Sequence, residues 1–460
     1  MDEQNFTKLN LDDSLLSNLG SLGFVSMTAI QAESLPAILA GNDVLAKGPT
    51  GSGKTVAFGL GVLSRLDTSL FQVQSMVLCP TRELAEQVSM ELRRLARSTP
   101  NVKILTLCGG TALRPQVTSL ENGVHIVVGT PGRIEDHLNK GSLDLGQLNS
   151  LVLDEADRML DLGFQKTLGK IIAGVPERRQ TLLFSATIPE SIAEIARQIM
   201  RNPQKISVAP TRDTVRVEQF FYKLGDEQQR MTALQLLLLD HAGKRTAVFC
   251  NTRKDTQTVT GALKGAGFAA AALHGEMQQK DRDQTLIRFA NGSASILVAT
   301  DVAARGLDIE SLDLVINFQL PRELDVYTHR IGRTARAGAR GLACSLFSAS
   351  EQFRVDQLAD RLGHEIAPLE LPPLAVLNQC PPKPKMSTLR IEGGKKQKLR
   401  PGDIVGALTS DGDIGAGAIG KIQVLDNWSY VAIGRGLART GLRKIQHGKL
   451  KGKSFRARLI

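Results

Sequence analysis

The chain has 460 residues, too many for one core, and its 42% hydrophobic and 22% charged residues suit a globular protein of two or three domains. No apolar run is long enough to cross a bilayer, and the polar, acidic start "MDEQNFTKLN" is no secretion signal. The net charge of +11 is uneven: residues 383–460 hold 17 Lys and Arg against 5 Asp and Glu, so the whole basic excess lies in the tail.

Five scattered cysteines, never spaced CxxC, argue against a zinc cluster and for buried, reduced thiols in a cytosolic protein. From Asp43 onward, aliphatic runs alternate with amphipathic helical patterns: "SMVLCP", "VKILTL", "HIVVGT", "SLVLDE" and "QTLLFSAT". Such continuous runs predict strands of a parallel sheet covered on both faces. "KISVAPTRDTVRVEQF" (205–220) breaks the rhythm, which then resumes in "RTAVFCN", "AAAALHG", "ASILVATD", "LDLVINF" and "LACSLFS". The expected fold is therefore two α/β lobes joined near residues 209–217. The five prolines of "LELPPLAVLNQCPPKPKM" predict an extended linker before the tail.

"GPTGSGKT", Gly48 to Thr55, fits G-x-x-x-x-G-K-[ST] and follows the apolar "DVLA". Backbone N–H groups of such a loop surround phosphate oxygens at a helix N-terminus. Lys54 adds a point charge at the β- and γ-phosphates, and the Thr55 hydroxyl can ligand Mg²⁺. A P-loop enzyme also needs an acid at a neighbouring strand end for the metal. Asp154, closing "SLVLD", is placed for that, and Glu155 can orient and deprotonate the attacking water. On their own, these acids would read as the exposed start of a helix.

"DEAD" at 154–157, with the other motifs in order, resembles the DEAD-box RNA helicases from residue 6 to about 350. "GFVSMTAIQ" (23–31), with Phe6 upstream, resembles the family's Q motif. The resemblance implies ATP as the nucleotide, with Gln31 reading the adenine edge, Phe24 packing near it and Thr28 supporting the loop. It implies a phosphate cradle of Gly48, Thr50, Gly51, Ser52, Gly53, Lys54 and Thr55, with Gly48 standing where alanine is usual. "PTRELA" (80–85), "GG" (109–110) and "TPGR" (130–133) resemble RNA-contacting loops, implicating Pro80, Thr81, Arg82, Gly109, Gly110, Thr130, Pro131, Gly132 and Arg133. "VFCNT" (248–252), "LHGEM" (273–277), "VATDVAARGLD" (298–308) and "HRIGRTARAG" (329–338) complete the set. They implicate Asn251, Arg253, His274, Gly275 and Thr300 in RNA contact and Asp308 in ribose contact. Ser185, Thr187, Asp157 and His329 are implied to couple hydrolysis to RNA handling. Arg333 and Arg336, which would otherwise read as a solvated basic face, are implied to be arginine fingers for the γ-phosphate. The implied fold is two RecA-like parallel-sheet lobes, with RNA across both favouring closure.

In the tail, "MSTLRIEGG", "GAIGKIQVLDNWSYVAIG" and "SFRARLI" predict strands, and "GLARTGLRKIQHGKLKG" predicts a helix. The order β-α-β-β-α-β is that of a small α+β, RRM-like domain. Only Trp428 and Tyr430 could form an aromatic platform, and both fit equally well in a core. Readout through basic loops carrying Lys395, Lys396, Lys398 and Arg400 is expected instead. The tail is similar to that of the bacterial DbpA subfamily, which implies targeting to a 23S rRNA hairpin during assembly of the large (50S) ribosomal subunit. The expected boundaries are 1–208 and 218–370 for the lobes, 209–217 and 371–385 for linkers, and 386–460 for the basic domain. A cytoplasmic, monomeric enzyme with no membrane or dedicated protein partner is expected. The rivals are a DNA-directed relative and a non-catalytic RNA-binding assembly factor with a vestigial ATPase core.

Overall fold

The aliphatic runs form strands because alternate side chains of each run enter opposite cores. In the strand Ser150–Asp154, Val152 joins one buried cluster while Leu151 and Leu153 join the other. Burying one such leucine contributes about 2 kcal/mol, so a strand apolar on both faces is stable only with helices on each side.

The computed structural model describes residues 5–49, 51–208, 217–304, 312–334 and 341–460. Thr50, Asp308, Arg336 and the linker residues 209–216 lie outside the described residues. The first sheet contains β1 (Val44–Lys47), β2 (Ser75–Leu78), β3 (Ile104–Leu107), β4 (Ile126–Gly129), β5 (Ser150–Asp154), β6 (Gln180–Ser185) and β7 (Gln204–Ser207). Its order is β3-β4-β2-β5-β6-β1-β7, with every neighbouring pair parallel. Parallel strands share one carboxyl edge, where ligands of open α/β sheets bind. Here that edge gathers the loops after β3, β4 and β2 beside those after β5, β6 and β1.

The second sheet contains β8 (Val217–Lys223), β9 (Thr246–Cys250), β10 (Ala270–Leu273), β11 (Ile296–Thr300), β12 (Leu314–Asn317) and β13 (Gly341–Phe347). It is parallel throughout, in the order β10-β11-β9-β12-β13-β8. The third sheet is antiparallel, β15-β16-β14-β17, built from β14 (Met386–Ile391), β15 (Ile419–Val424), β16 (Ser429–Gly434) and β17 (Ala457–Leu459). Helices Pro401–Thr409 and Ala438–His447 complete the β-α-β-β-α-β order. The chain divides into two compact units, the first built on the first sheet and the second on the other two.

Within the second unit, alternation along β14 and β16 gives the small sheet two different faces. Leu389, Ile391, Val431 and Ile433 pack with Ile404, Leu408 and Ile445 of the helices. Thr388, Arg390, Tyr430 and Ala432 point the other way and are also buried, Tyr430 to 1% exposure. The covering groups come from the region after β10. Asn291 Nδ2 donates to Thr388 Oγ1 at 2.8 Å, and the Ser293 and Thr388 hydroxyls meet at 2.6 Å. Trp428 is half-buried, with the Arg390 guanidinium 3.8 Å and Lys280 Nζ 4.7 Å from its ring centre. Tyr430 is thus a core residue and Trp428 a stacking partner of two cations.

Cys79, Cys108, Cys250 and Cys344 are buried, whereas Cys380, in the proline-rich stretch, is exposed. The expectation of five buried thiols fails there because the extended linker gives Cys380 no core to enter. Among the described residues, no helix is long and apolar enough to cross a membrane.

Candidate active site and nucleic-acid contacts

The segment after β1 turns back on itself before the helix Lys54–Ser64. Gly53 has φ +93°, and a Cβ there would collide with the side chains of Gln31 and Thr28, so both conformation and space demand glycine. Lys54 is buried, and its ammonium donates to the Gly48 carbonyl at 2.9 Å. Thr55, half-buried, is the next residue of that helix.

The Q-like stretch is tied directly to this loop. Thr28 and Gln31 form a capping box at the start of the helix Ala29–Leu39, with the Thr28 N–H donating to Gln31 Oε1 at 2.8 Å. Thr28 Oγ1 donates to the Ser52 carbonyl at 2.7 Å, and Gln31 Nε2 to the Gly53 carbonyl at 3.1 Å. Gln31 is only 2% exposed, so its carboxamide must find protein partners. One partner of its carboxamide is the backbone of the phosphate loop. Phe24 is half-buried against the same core.

Three carboxylates lie at the end of β5 and in the first turn of the helix that follows it. Asp154 is buried, its Oδ1 has no hydrogen-bond partner, and burial pushes its carboxyl up to about 7 despite the opposing pull of Lys54. An orphaned carboxylate oxygen near a lysine fits a hard cation that takes its remaining ligands from phosphate and water. Glu155 caps the helix Ala156–Asp161 with φ +52° and ψ +51°, a left-handed conformation costing about 1–2 kcal/mol for a residue with a Cβ. Its Oε2 accepts from Arg158 Nη1 at 2.7 Å, with both side chains buried.

Asp157 faces the segment after β6. Its Oδ2 accepts from the Thr187 N–H at 2.9 Å and the Thr187 hydroxyl at 2.8 Å, and its own N–H donates to Ser185 Oγ at 3.3 Å. Burial pushes the Asp157 carboxyl up, but the bonds from Thr187 and Ser185 outweigh it and hold the group below 3.8. The three acids are held differently: Asp154 keeps one oxygen without a hydrogen bond, Glu155 pairs with arginine, and Asp157 is held by the segment after β6.

The other loops of this edge follow β2, β3 and β4. Pro80 precedes Thr81, which caps the helix Arg82–Leu95 and accepts from the Leu84 N–H at 3.3 Å. The Arg82 guanidinium lies so close over Gly109 and Gly110 that a Cβ on Gly110 would overlap it. Thr130 and Pro131 open the helix Pro131–Asn139, where nothing crowds Gly132. Arg133 donates to Gln116 Oε1 at 2.8 Å and to the Thr111 carbonyl at 3.1 Å.

In the second unit, Asn251 is committed internally. Its Nδ2 donates to the Leu320 carbonyl at 2.9 Å and its Oδ1 accepts from Arg330 Nη2 at 2.8 Å. Arg253 pairs with Glu276. His274 is buried against Gln257, and burial, aided by Arg253 and Arg282, lowers its pKa. Nothing crowds Gly275, and Thr300 ends β11. His329 is half-buried in the helix Leu324–Ile331, and Arg333, just after it, is buried.

Sequence reasoning missed Arg330, which is fully buried between them. It bonds Asp301 through Nε at 2.6 Å and Nη2 at 2.8 Å, Asn317 Oδ1 at 3.1 Å and the Gln319 carbonyl at 2.7 Å. The signal was an arginine inside a basic run with an acid at the end of a strand, but nothing in the spacing pairs them. It missed Arg158 as well, although three residues from Glu155 is helical pairing distance.

In the small domain, Lys395, Lys396, Lys398 and Arg400 are all exposed around a short 3₁₀ turn. Beside them, a groove of about 600 Å³ between the two helices is lined by Lys444, Lys449, Lys451, Asp403 and Asp411.

Comparison with known proteins finds three family matches along the chain. Residues 28–195 match the DEAD/DEAH box helicase family, 229–338 the helicase conserved C-terminal domain, and 388–459 the DbpA RNA binding domain. The chain is 52% identical to the ATP-dependent RNA helicase DbpA of Escherichia coli over 456 residues, covering 99% of each. It is 36% identical to the protein of that name from Bacillus subtilis, covering 98% of each. Among solved structures it is similar to S. cerevisiae Dbp5 bound to RNA and ADP BeF3, with TM-score 0.71 and 28% identity over 80% of this chain and 96% of that one.

Proposed function

Since the chain belongs to the DbpA group of DEAD-box ATP-dependent RNA helicases, we propose that it spends ATP on locally opening 23S rRNA in precursors of the 50S subunit. The ATPase parts are assigned as follows. Backbone amides of Gly51, Ser52 and Gly53 with Lys54 hold the phosphates, and Asp308 holds the ribose. Asp154 and Thr55 hold Mg²⁺, which when bound neutralises charge on the β- and γ-phosphate oxygens. Glu155 orients the attacking water and takes its proton. Arg333 and Arg336 supply guanidinium charge to the γ-phosphate in the ATP- and RNA-bound state. Ser185, Thr187, Asp157 and His329 transmit the state of the nucleotide to the RNA-contacting loops.

RNA held by phosphate and ribose contacts leaves the core blind to sequence. Choice of target falls to residues 386–460, and the observation carrying this is the exposed basic turn Lys395–Arg400 in a domain that matches the DbpA RNA-binding family. The reading makes the protein a cytoplasmic enzyme that acts as a monomer.

The test compares ATP turnover with a 23S rRNA fragment, an unrelated RNA and a DNA of equal length. Turnover should rise most with the ribosomal fragment and should be abolished by Lys54→Ala or Glu155→Gln. Removing residues 380–460 should leave basal hydrolysis and erase the preference. Equal stimulation by DNA would overturn the RNA assignment, and preference surviving the truncation would overturn the role of the tail.

A further inference from the structure

Glu155 holds an unusual position for a base. Its backbone is left-handed, and its carboxylate is 7% exposed beside a second buried acid. A carboxylate there needs a countercharge. Among the described residues Arg158, 3% exposed, supplies it: its Nη1 reaches Oε2 at 2.7 Å.

Arg158 is itself held from a third direction. Its backbone N–H donates to Asp157 Oδ1 at 3.0 Å, while the other oxygen of that carboxylate takes both bonds from Thr187. The order of contacts is therefore Thr187, Asp157, Arg158, Glu155, all within one helical turn and the adjoining strand end.

We infer that Arg158 is a positioning residue for ATP hydrolysis: its guanidinium fixes where the Glu155 carboxylate stands. The inference rests on Glu155 being the base that activates water. Arginine suits the task because its charge is permanent and its donors form a rigid fork. Lysine would keep the charge with a looser geometry, and glutamine would keep neither. A base displaced by an ångström loses much of its rate contribution while the nucleotide still binds.

The experiment measures kcat and KM for ATP at saturating RNA, and the affinity for a fluorescent ADP analogue, in Arg158→Gln, Arg158→Lys and Glu155→Gln. For Arg158→Gln, kcat should fall about tenfold or more while KM and ADP-analogue affinity stay within about twofold, and Arg158→Lys should recover part of the loss. Unchanged kcat in Arg158→Gln, a parallel loss of kcat and nucleotide affinity, or a lysine variant no better than glutamine would overturn the inference. Should Arg158→Gln fail to give a cooperative melt, Arg158→Lys decides: reduced kcat at unchanged KM supports positioning, and any other pattern overturns it. Glu155→Gln separates the two readings. If that variant turns over normally, the assignment of the base fails; if it is inactive while Arg158→Gln is normal, only the role of Arg158 fails.

Discussion

Thr187 gives both its N–H and its hydroxyl to a single oxygen of Asp157, at 2.9 Å and 2.8 Å. The two residues are thirty apart in the chain, and the contact ties the end of β6 to the helical turn that carries Arg158.

Thr187→Ala should remove one of these bonds and lower the stability of the first unit by about 1 kcal/mol. If the contact couples hydrolysis to RNA handling, strand separation should drop by a larger factor than RNA-stimulated ATP turnover. Parallel measurement of both rates checks this, and equal losses would remove Thr187 from the coupling role.

Gly53→Ala meets the Gln31 and Thr28 side chains and an unfavourable φ together, so it should weaken nucleotide binding strongly while leaving the small domain folded. Gln31→Ala releases the Gly53 carbonyl and the Thr28 N–H. Losing two partly buried bonds of about 1 kcal/mol each predicts roughly a thirtyfold weaker affinity for ADP. Calorimetric titration of both variants with ADP and with adenosine would show the contribution to be loop support if only ADP binding suffers.

Trp428→Ala strips the ring from between Arg390 and Lys280, leaving a buried guanidinium without its stack. The cost should be about 2 kcal/mol and should appear in melting of the second unit. Proteolysis in the segment 371–385 should also quicken, because the small domain would be held less firmly. Unchanged cleavage and melting would show that the stack contributes little to docking.

His125 and His137, both in the first unit, are buried, and burial holds each below its ordinary 6.5. The unfolded chain takes up protons at these sites near pH 6.5 and the folded chain only at lower pH, so stability falls as pH drops below about 6.5 and is unaffected by them above it. Melting temperature should be flat from pH 8 to 7 and decline toward pH 5.5. His137→Gln should shallow that decline, and an unaltered slope would assign it to other groups.

Local pattern was enough for much of this protein. The phosphate loop, the acid box and the strand-helix alternation depend on residues within a few positions of one another and on backbone rules that act at that range, so "GPTGSGKT" and "SLVLDEAD" could be read directly. The β-α-β-β-α-β order of the tail was legible for the same reason. Tertiary structure alone decided what covers each face and which distant group satisfies each buried polar atom. Alternation along β14 places Thr388 and Arg390 on one side of the sheet, but it cannot say that Asn291, Ser293 and Lys280 close over that side. Nor can it say that Arg330 finds Asp301 and Asn251, 29 and 79 residues away, or that the Gln31 carboxamide turns to Gly53. Burial removes water from these groups, and the partners that replace it are supplied by whichever segment the fold brings near, a choice made by packing at long range.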